Sequence, residues 1–200
     1  MVKNFFAIMR ENRSWLMLAV LFFVGGITMS YTALSQEPEL LRLLEETTLT
    51  VLQELGEEIF SGPPLVGIIT LLMHNLLSTL QIIFMGIFLG LPTLASAIAN
   101  GSVLGFLAYQ LAQTGISPLP VLVAGILPHG IFELPAFFLS VALGLKLGYH
   151  VVFPLPELSR KDTFRKVFSD IGVSMPYIFG LLAISAIIEV LITPLILGSF

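Results

Sequence analysis

The chain has 200 residues, of which 56% are hydrophobic and only 11% charged, and its net charge is −4. A soluble domain usually has about 25% charged residues. The polar side chains here are too few to cover a water-facing globule, so lipid must cover part of the surface. The absence of cysteine excludes disulfides, thiol nucleophiles, iron–sulfur clusters and thiolate zinc sites. No basic tract interleaved with aromatic residues indicates nucleic-acid binding.

Five apolar stretches are long enough to cross a bilayer, which takes roughly 20 mostly apolar residues. The predicted spans, all within a single membrane domain (1–200), are residues 14–34, 65–90, 93–112, 121–147 and 173–197. The first span exceeds the ~7–15 residues of a signal-peptide core, so we interpret it as an uncleaved anchor. The fourth contains Pro128, Gly130 and Pro135, which predict a kink or a break.

Two polar segments separate the spans. Residues 36–62 carry seven glutamates against Arg42, with leucines near helical spacing, which predicts an outer amphipathic helix on the membrane face. Residues 149–172 contain Ser159 and Asp162 at capping-box spacing, which predicts a short inner surface helix that ends before Gly172. The predicted fold is therefore all-α: a polytopic bundle of about five transmembrane helices plus these two amphipathic helices.

The basic residues give the orientation. With five spans and a cytoplasmic N-terminus, eight of the nine lysines and arginines fall on the inner side, and Arg42 is the exception. This distribution is the one that the positive-inside rule requires. We therefore predict a multi-pass protein of the cell membrane, with an extracytoplasmic C-terminus and an acidic segment that faces outward.

Several polar residues lie inside the predicted spans, where an ionisable group costs at least a few kcal/mol. His129 and Glu133 lie four residues apart and therefore share one helix face. The predicted intramembrane polar site comprises Asn75, Asn100, His129, Glu133 and Glu189. His74 is less favoured than its neighbour Asn75, because consecutive helical residues point about 100° apart.

These groups are open to several interpretations. Two carboxylates and an imidazole could bind a divalent metal such as zinc, with His129, Glu133 and Glu189 as ligands. The same groups could transfer a proton, line the path of a small solute, or simply form hydrogen bonds that fix helix packing. Ser140 and Ser185 are expected to bond back to their own helices. No zinc-protease, nucleophile-elbow or phosphate-loop motif occurs, so the sequence favours a protein that is not an enzyme.

The segment 126–135, Ile-Leu-Pro-His-Gly-Ile-Phe-Glu-Leu-Pro, resembles the hallmark of the stage II sporulation protein M family. Asn75, the segment 100–105 and the segment 188–194 also match, so the resemblance covers most of residues 65–197. It implies a polytopic membrane protein of about five helices. It also marks the five residues of the predicted polar site as the positions on which function depends.

The resemblance implies a scaffold function, because the family's namesake anchors an extracytoplasmic peptidoglycan-hydrolase machine during engulfment in endospore formers. The partners to consider are the lipid bilayer, such wall hydrolases and a second copy of the chain. The alternative is an intramembrane His/Glu site that binds a divalent metal or serves proton or small-solute transport. Three small-residue pairs predict close helix packing: Gly86–Gly90, Gly101–Gly105 and Gly144–Gly148.

Overall fold

The computed structural model describes residues 5–37, 39 and 50–197. The described residues form eight helices. In chain order they are α1 (Phe5–Glu11), α2 (Arg13–Gln36), α3 (Thr50–Phe60), α4 (Pro64–Met85), α5 (Leu91–Gln113), α6 (Pro118–Val152), α7 (Arg160–Leu191) and α8 (Thr193–Leu197). Within the described part of the chain, five segments are long and apolar enough to cross a membrane: α2, α4, α5, α6 and Arg160–Ile196. The prediction of an all-helical bundle with five such helices is confirmed.

The second predicted span is shorter than expected, because α4 ends at Met85 rather than near residue 90. Residues 86–88 bond to carbonyls three residues back, which tightens the chain into a turn. Leu89 and Gly90 then adopt left-handed conformations with φ of 59° and 74°. The helix that follows has proline in its first turn, where the missing N–H is unimportant.

The central helix α6 is longer than predicted and is continuous through Pro128 and Pro135. Of the predicted kink or break, the break does not occur. Each proline removes one backbone donor, but α6 packs against α2, α4, α5, α7 and α8. Tertiary packing of this kind contributes most of a helix's stability in a folded protein and offsets the two lost bonds.

The predicted inner surface helix is not a separate element, because α7 runs without interruption from Arg160 through Gly172 and into the membrane segment. The predicted cap is present: the Asp162 amide donates to Ser159 Oγ at 3.2 Å. Glycine lowers helix propensity by only about 1 kcal/mol, and Val167 and Ile171 on either side of the predicted boundary are buried in the core. That burial carries the helix through Gly172.

The outer amphipathic helix is described only from Thr50, and the prediction for residues 38 and 40–49 lies outside the described residues. Leu55 and Ile59 of α3 pack with Leu71 and Ile68 of α4, whereas Glu54 is exposed. The helix therefore lies with its apolar side against the bundle, as its sequence pattern predicts.

Glycine permits the closest helix contacts. A Cβ added at Gly101 or Gly105 would lie 2.0 or 2.4 Å from a backbone oxygen of α2, and one at Gly86 would lie 2.2 Å from the Gly144 oxygen. A Cβ at Gly148 would lie 2.2 Å from the Gly90 nitrogen. The predicted role of all three glycine pairs in close packing is confirmed.

A polar cavity as candidate functional site

A partly open cavity of about 460 Å³ lies between the helices of the bundle and is lined by residues of α2 to α7. Its wall includes all five residues of the predicted polar site: Asn75, Asn100, His129, Glu133 and Glu189. His74, which was less favoured than its neighbour Asn75, also lines the cavity, but it is exposed whereas Asn75 is partly buried. The cavity is wide enough to meet two adjacent positions of α4.

Three ionisable side chains converge on one side of this cavity. His129 and Glu133 lie one turn apart on α6, and Glu189 approaches them from α7. One potential ligand atom from each of the three lies within 4.8 Å of the other two. His129 Nε2 is 3.9 Å from Glu189 Oε2, and these two side chains are only 13% and 24% exposed. The helix crossing thus assembles an imidazole and two carboxylates in a partly buried place.

Thr193 orients the imidazole of His129. The Thr193 hydroxyl lies 3.2 Å from His129 Nδ1 and donates to the Ile188 carbonyl at 3.4 Å. When the single hydroxyl hydrogen of Thr193 points to the Ile188 carbonyl, its oxygen accepts from Nδ1 in the tautomer in which Nδ1 carries the proton. In that tautomer Nε2 presents a lone pair towards Glu189. Two electron-pair donors face each other there, which is the arrangement that a cation between them stabilises.

Glu133 has a hydroxyl partner on the neighbouring helix. Ser185 Oγ, which is completely buried, donates to Glu133 Oε2 at 3.2 Å. The prediction that Ser185 bonds back to its own helix is therefore wrong, whereas Ser140 does donate to the Ala136 carbonyl four residues earlier. Ser185 holds the Glu133 carboxylate by one oxygen and leaves the other oxygen available.

The two asparagines of the cavity differ. Asn100 Nδ2 donates to the Ser96 carbonyl at 2.9 Å. Asn75 Nδ2 is buried and has no hydrogen-bond partner among the residues that the structure describes. Leu55 of α3 also lines the cavity, so the amphipathic helix covers part of it.

Sequence reasoning missed Ser185 and Thr193 as partners of the ionisable cluster. Thr193 lies four residues after Glu189, which is the spacing of neighbours on one helix face and could have indicated its proximity. Ser185 lies four residues before Glu189 and carries the same signal. Neither spacing shows which side chain on the crossing helix each hydroxyl meets.

Comparison with known proteins places the chain in a family. An uncharacterized protein of Methanocaldococcus jannaschii is 36% identical to it over 124 residues, which cover 60% of this chain and 68% of that protein. No solved structure matches the chain significantly. The family model for stage II sporulation protein M matches residues 18–194, a range that includes every residue that lines the cavity. The chain therefore belongs to the stage II sporulation protein M family.

Proposed function

We propose that this membrane protein binds a divalent transition-metal ion such as zinc within its helix bundle, with His129, Glu133 and Glu189 as the ligands. The observation that supports this function is the convergence of the three ligand atoms within 4.8 Å of one another. The ligands come from two crossing helices, so the tertiary fold rather than one local motif assembles the site.

The donor set suits zinc. Imidazole nitrogen and carboxylate oxygen bind zinc at about 2.0–2.2 Å, which separates ligands of a tetrahedral shell by about 3.3 Å. Small side-chain rotations would bring atoms that now lie within 4.8 Å to that separation. Three protein ligands leave a fourth position open, as in zinc sites that bind water or a substrate. Thr193 fixes the imidazole by its other nitrogen, which is the usual second contact of a metal-bound histidine.

Charge also favours a cation. Two ionised carboxylates whose oxygens lie within 4.8 Å of each other repel by roughly 3.5 kcal/mol or more at an effective dielectric constant of about 20. A divalent ion between them, together with a neutral imidazole, gives a site with no net charge. If the polar groups served helix packing alone, Thr193 and Ser185 would be the partners of His129 and Glu133, and no ion would lie between His129 Nε2 and Glu189.

Metal content tests the proposal. Protein purified in detergent, loaded with zinc and desalted, should retain close to one equivalent of zinc per chain. A Glu133→Gln/Glu189→Gln variant keeps the side-chain volumes and should retain almost none. The matched control is Glu54→Gln/Glu57→Gln, which changes the net charge equally on the exposed side of α3. Equal zinc in the wild type and the Glu133→Gln/Glu189→Gln variant would refute the metal site.

A second candidate function is a scaffold for extracytoplasmic peptidoglycan hydrolases, and two observations favour it. The chain belongs to the stage II sporulation protein M family, and its resemblance to that family implied this role. Glu54 and Glu57 of α3 are exposed, so the helix presents acidic groups on the side away from the bundle. An acidic face of this kind suits a partner with a basic surface.

Charge reversal tests the scaffold. Glu54→Lys/Glu57→Lys should reduce recovery of a co-produced extracytoplasmic peptidoglycan hydrolase in a pull-down. Glu157→Lys, which changes an exposed glutamate in the connection between α6 and α7, is the control. Unchanged recovery with the α3 variant would remove this surface from the proposal.

A further inference from the structure

We propose that the cavity also binds an oxyanion, such as a phosphate group, next to the metal ion, and that the side-chain amide of Asn75 donates to it. This inference rests on the proposed metal site and names the class of ligand that completes it. The size of the cavity, the unpaired amide of Asn75 and the charge of the metal-loaded site support it.

The cavity is too large for a metal ion alone. Its volume is about 460 Å³, whereas a water molecule takes about 30 Å³ in the liquid. An ion with one or two coordinated waters would fill a small part of this space. Cavities of about 300–1,000 Å³ are typical of small-molecule sites. There is room for a second ligand that contacts the ion.

Asn75 supplies a donor that the described protein atoms leave unused. Its Nδ2 is buried and has no partner among the described residues, an arrangement that usually costs about 1–3 kcal/mol. Asn100, on the same cavity wall, already donates to the Ser96 carbonyl. Nδ2 itself is covered by protein atoms, but Asn75 lines the cavity, so a turn of its side-chain amide brings the donor to an acceptor oxygen of a bound ligand. Apolar side chains on the wall, such as Phe23 and Leu71, strengthen such a bond.

The metal ion determines which charge a second ligand in the cavity can carry. Without a cation, the carboxylates of Glu133 and Glu189 would repel an anion. With a divalent ion and a neutral His129, the cluster carries no net charge and the ion has an open position for oxygen. An oxyanion can then bind the ion by one oxygen and accept from Asn75 by another, so its binding must depend on the metal.

The oxyanion could arrive from water or from the membrane. An apolar groove of about 380 Å³ between α5 and α6 shares four residues with the cavity wall: Leu104, Ile126, Gly130 and Leu134. The chemistry recognised is the same in both cases, a phosphate oxygen at the ion and at Asn75. A free phosphate would use the cavity alone, whereas a lipid phosphate would place its chains in the groove.

Calorimetric titration of the zinc-loaded protein in detergent tests the inference, with inorganic phosphate in one arm and dihexanoyl phosphatidic acid in the other. We expect saturable binding in at least one arm, and none in the protein stripped of zinc. Asn75→Leu should weaken that binding about 10- to 100-fold, the cost of losing a hydrogen bond to a charged group. Asn100→Leu should weaken it much less, because its amide is already bonded within α5.

Zinc content is measured in every variant, so the two proposals can fail separately. A zinc-loaded wild type that binds neither phosphate ligand, or an Asn75→Leu variant with unchanged affinity, overturns the inference and leaves the metal site intact. A wild type that retains no zinc overturns both. If Asn75→Leu does not fold, Asn75→Asp replaces it, since an isosteric carboxylate must also weaken binding; unchanged affinity in that variant refutes the inference.

Discussion

Replacing Gly26 by alanine should destabilise the protein, because α2 and α5 touch through this residue. A Cβ at Gly26 would lie 2.1 Å from the carbonyl oxygen of Ile98, a backbone atom that cannot move aside. Real Cβ contacts essentially never fall below 3.0 Å, so the two helices must separate by about 1 Å at this point. Overpacking of this size costs about 1–3 kcal/mol.

The neighbouring Gly25 is the matched control, because a Cβ there meets nothing within 4 Å. Alanine is favoured over glycine inside a helix by about 0.8–1.0 kcal/mol. Gly25→Ala should therefore leave the stability unchanged or raise it slightly. Gly26→Ala gains the same helix propensity, so the two variants should differ by the overpacking cost alone, about 1–3 kcal/mol. The assay is the free energy of unfolding of each variant in the same detergent. Equal stability of Gly26→Ala and Gly25→Ala would refute the close α2–α5 contact.

Three further predictions concern the metal site, a buried ion pair and the orientation. Thr193→Val should weaken zinc affinity about 10- to 100-fold in a competition titration, and Thr193→Ser should restore it; an unaffected Val variant would contradict the orienting role. Lys146→Met should cost about 3–5 kcal/mol of unfolding free energy, because the Lys146 ammonium lies 2.9 Å from Asp170 and both are largely buried. Lys146→Met/Asp170→Leu should recover most of that loss, and a double variant no more stable than the single one would contradict this reasoning. Since the chain has no cysteine, an impermeant maleimide on whole cells should label Glu57→Cys but not Lys161→Cys, and the reverse pattern would overturn the predicted orientation.

The number of membrane helices could be predicted because the thickness of the bilayer fixes the length of a spanning helix. The apolar composition of the five stretches indicates that lipid surrounds them. The helix ends at the polar boundaries were less predictable. The last span was expected to start after Gly172, but the buried residues Val167 and Ile171 carry α7 through this glycine. Pro128 and Pro135 were expected to kink or break α6, but its position between five other helices keeps it continuous. In each case tertiary packing overrode a local signal that the sequence does present.

The site could be predicted only for those residues whose side chains are energetically costly to place in a membrane. The energetic cost of ionisable groups in lipid singled out His129, Glu133 and Glu189, and all three line one cavity. The hydroxyl partners were not predicted, because serine and threonine are inexpensive in a membrane helix and their contacts depend on how α6 and α7 cross. Ser185 and Thr193 could be assigned only once that crossing was known.

Anomalous diffraction from crystals of the zinc-loaded protein tests the metal site most directly. Data collected on both sides of the zinc absorption edge should give a peak within bonding distance of His129 Nε2 and of carboxylate oxygens from Glu133 and Glu189. A zinc peak at the exposed glutamates of α3 instead, or a fully loaded crystal with no peak in the cavity, would contradict the account.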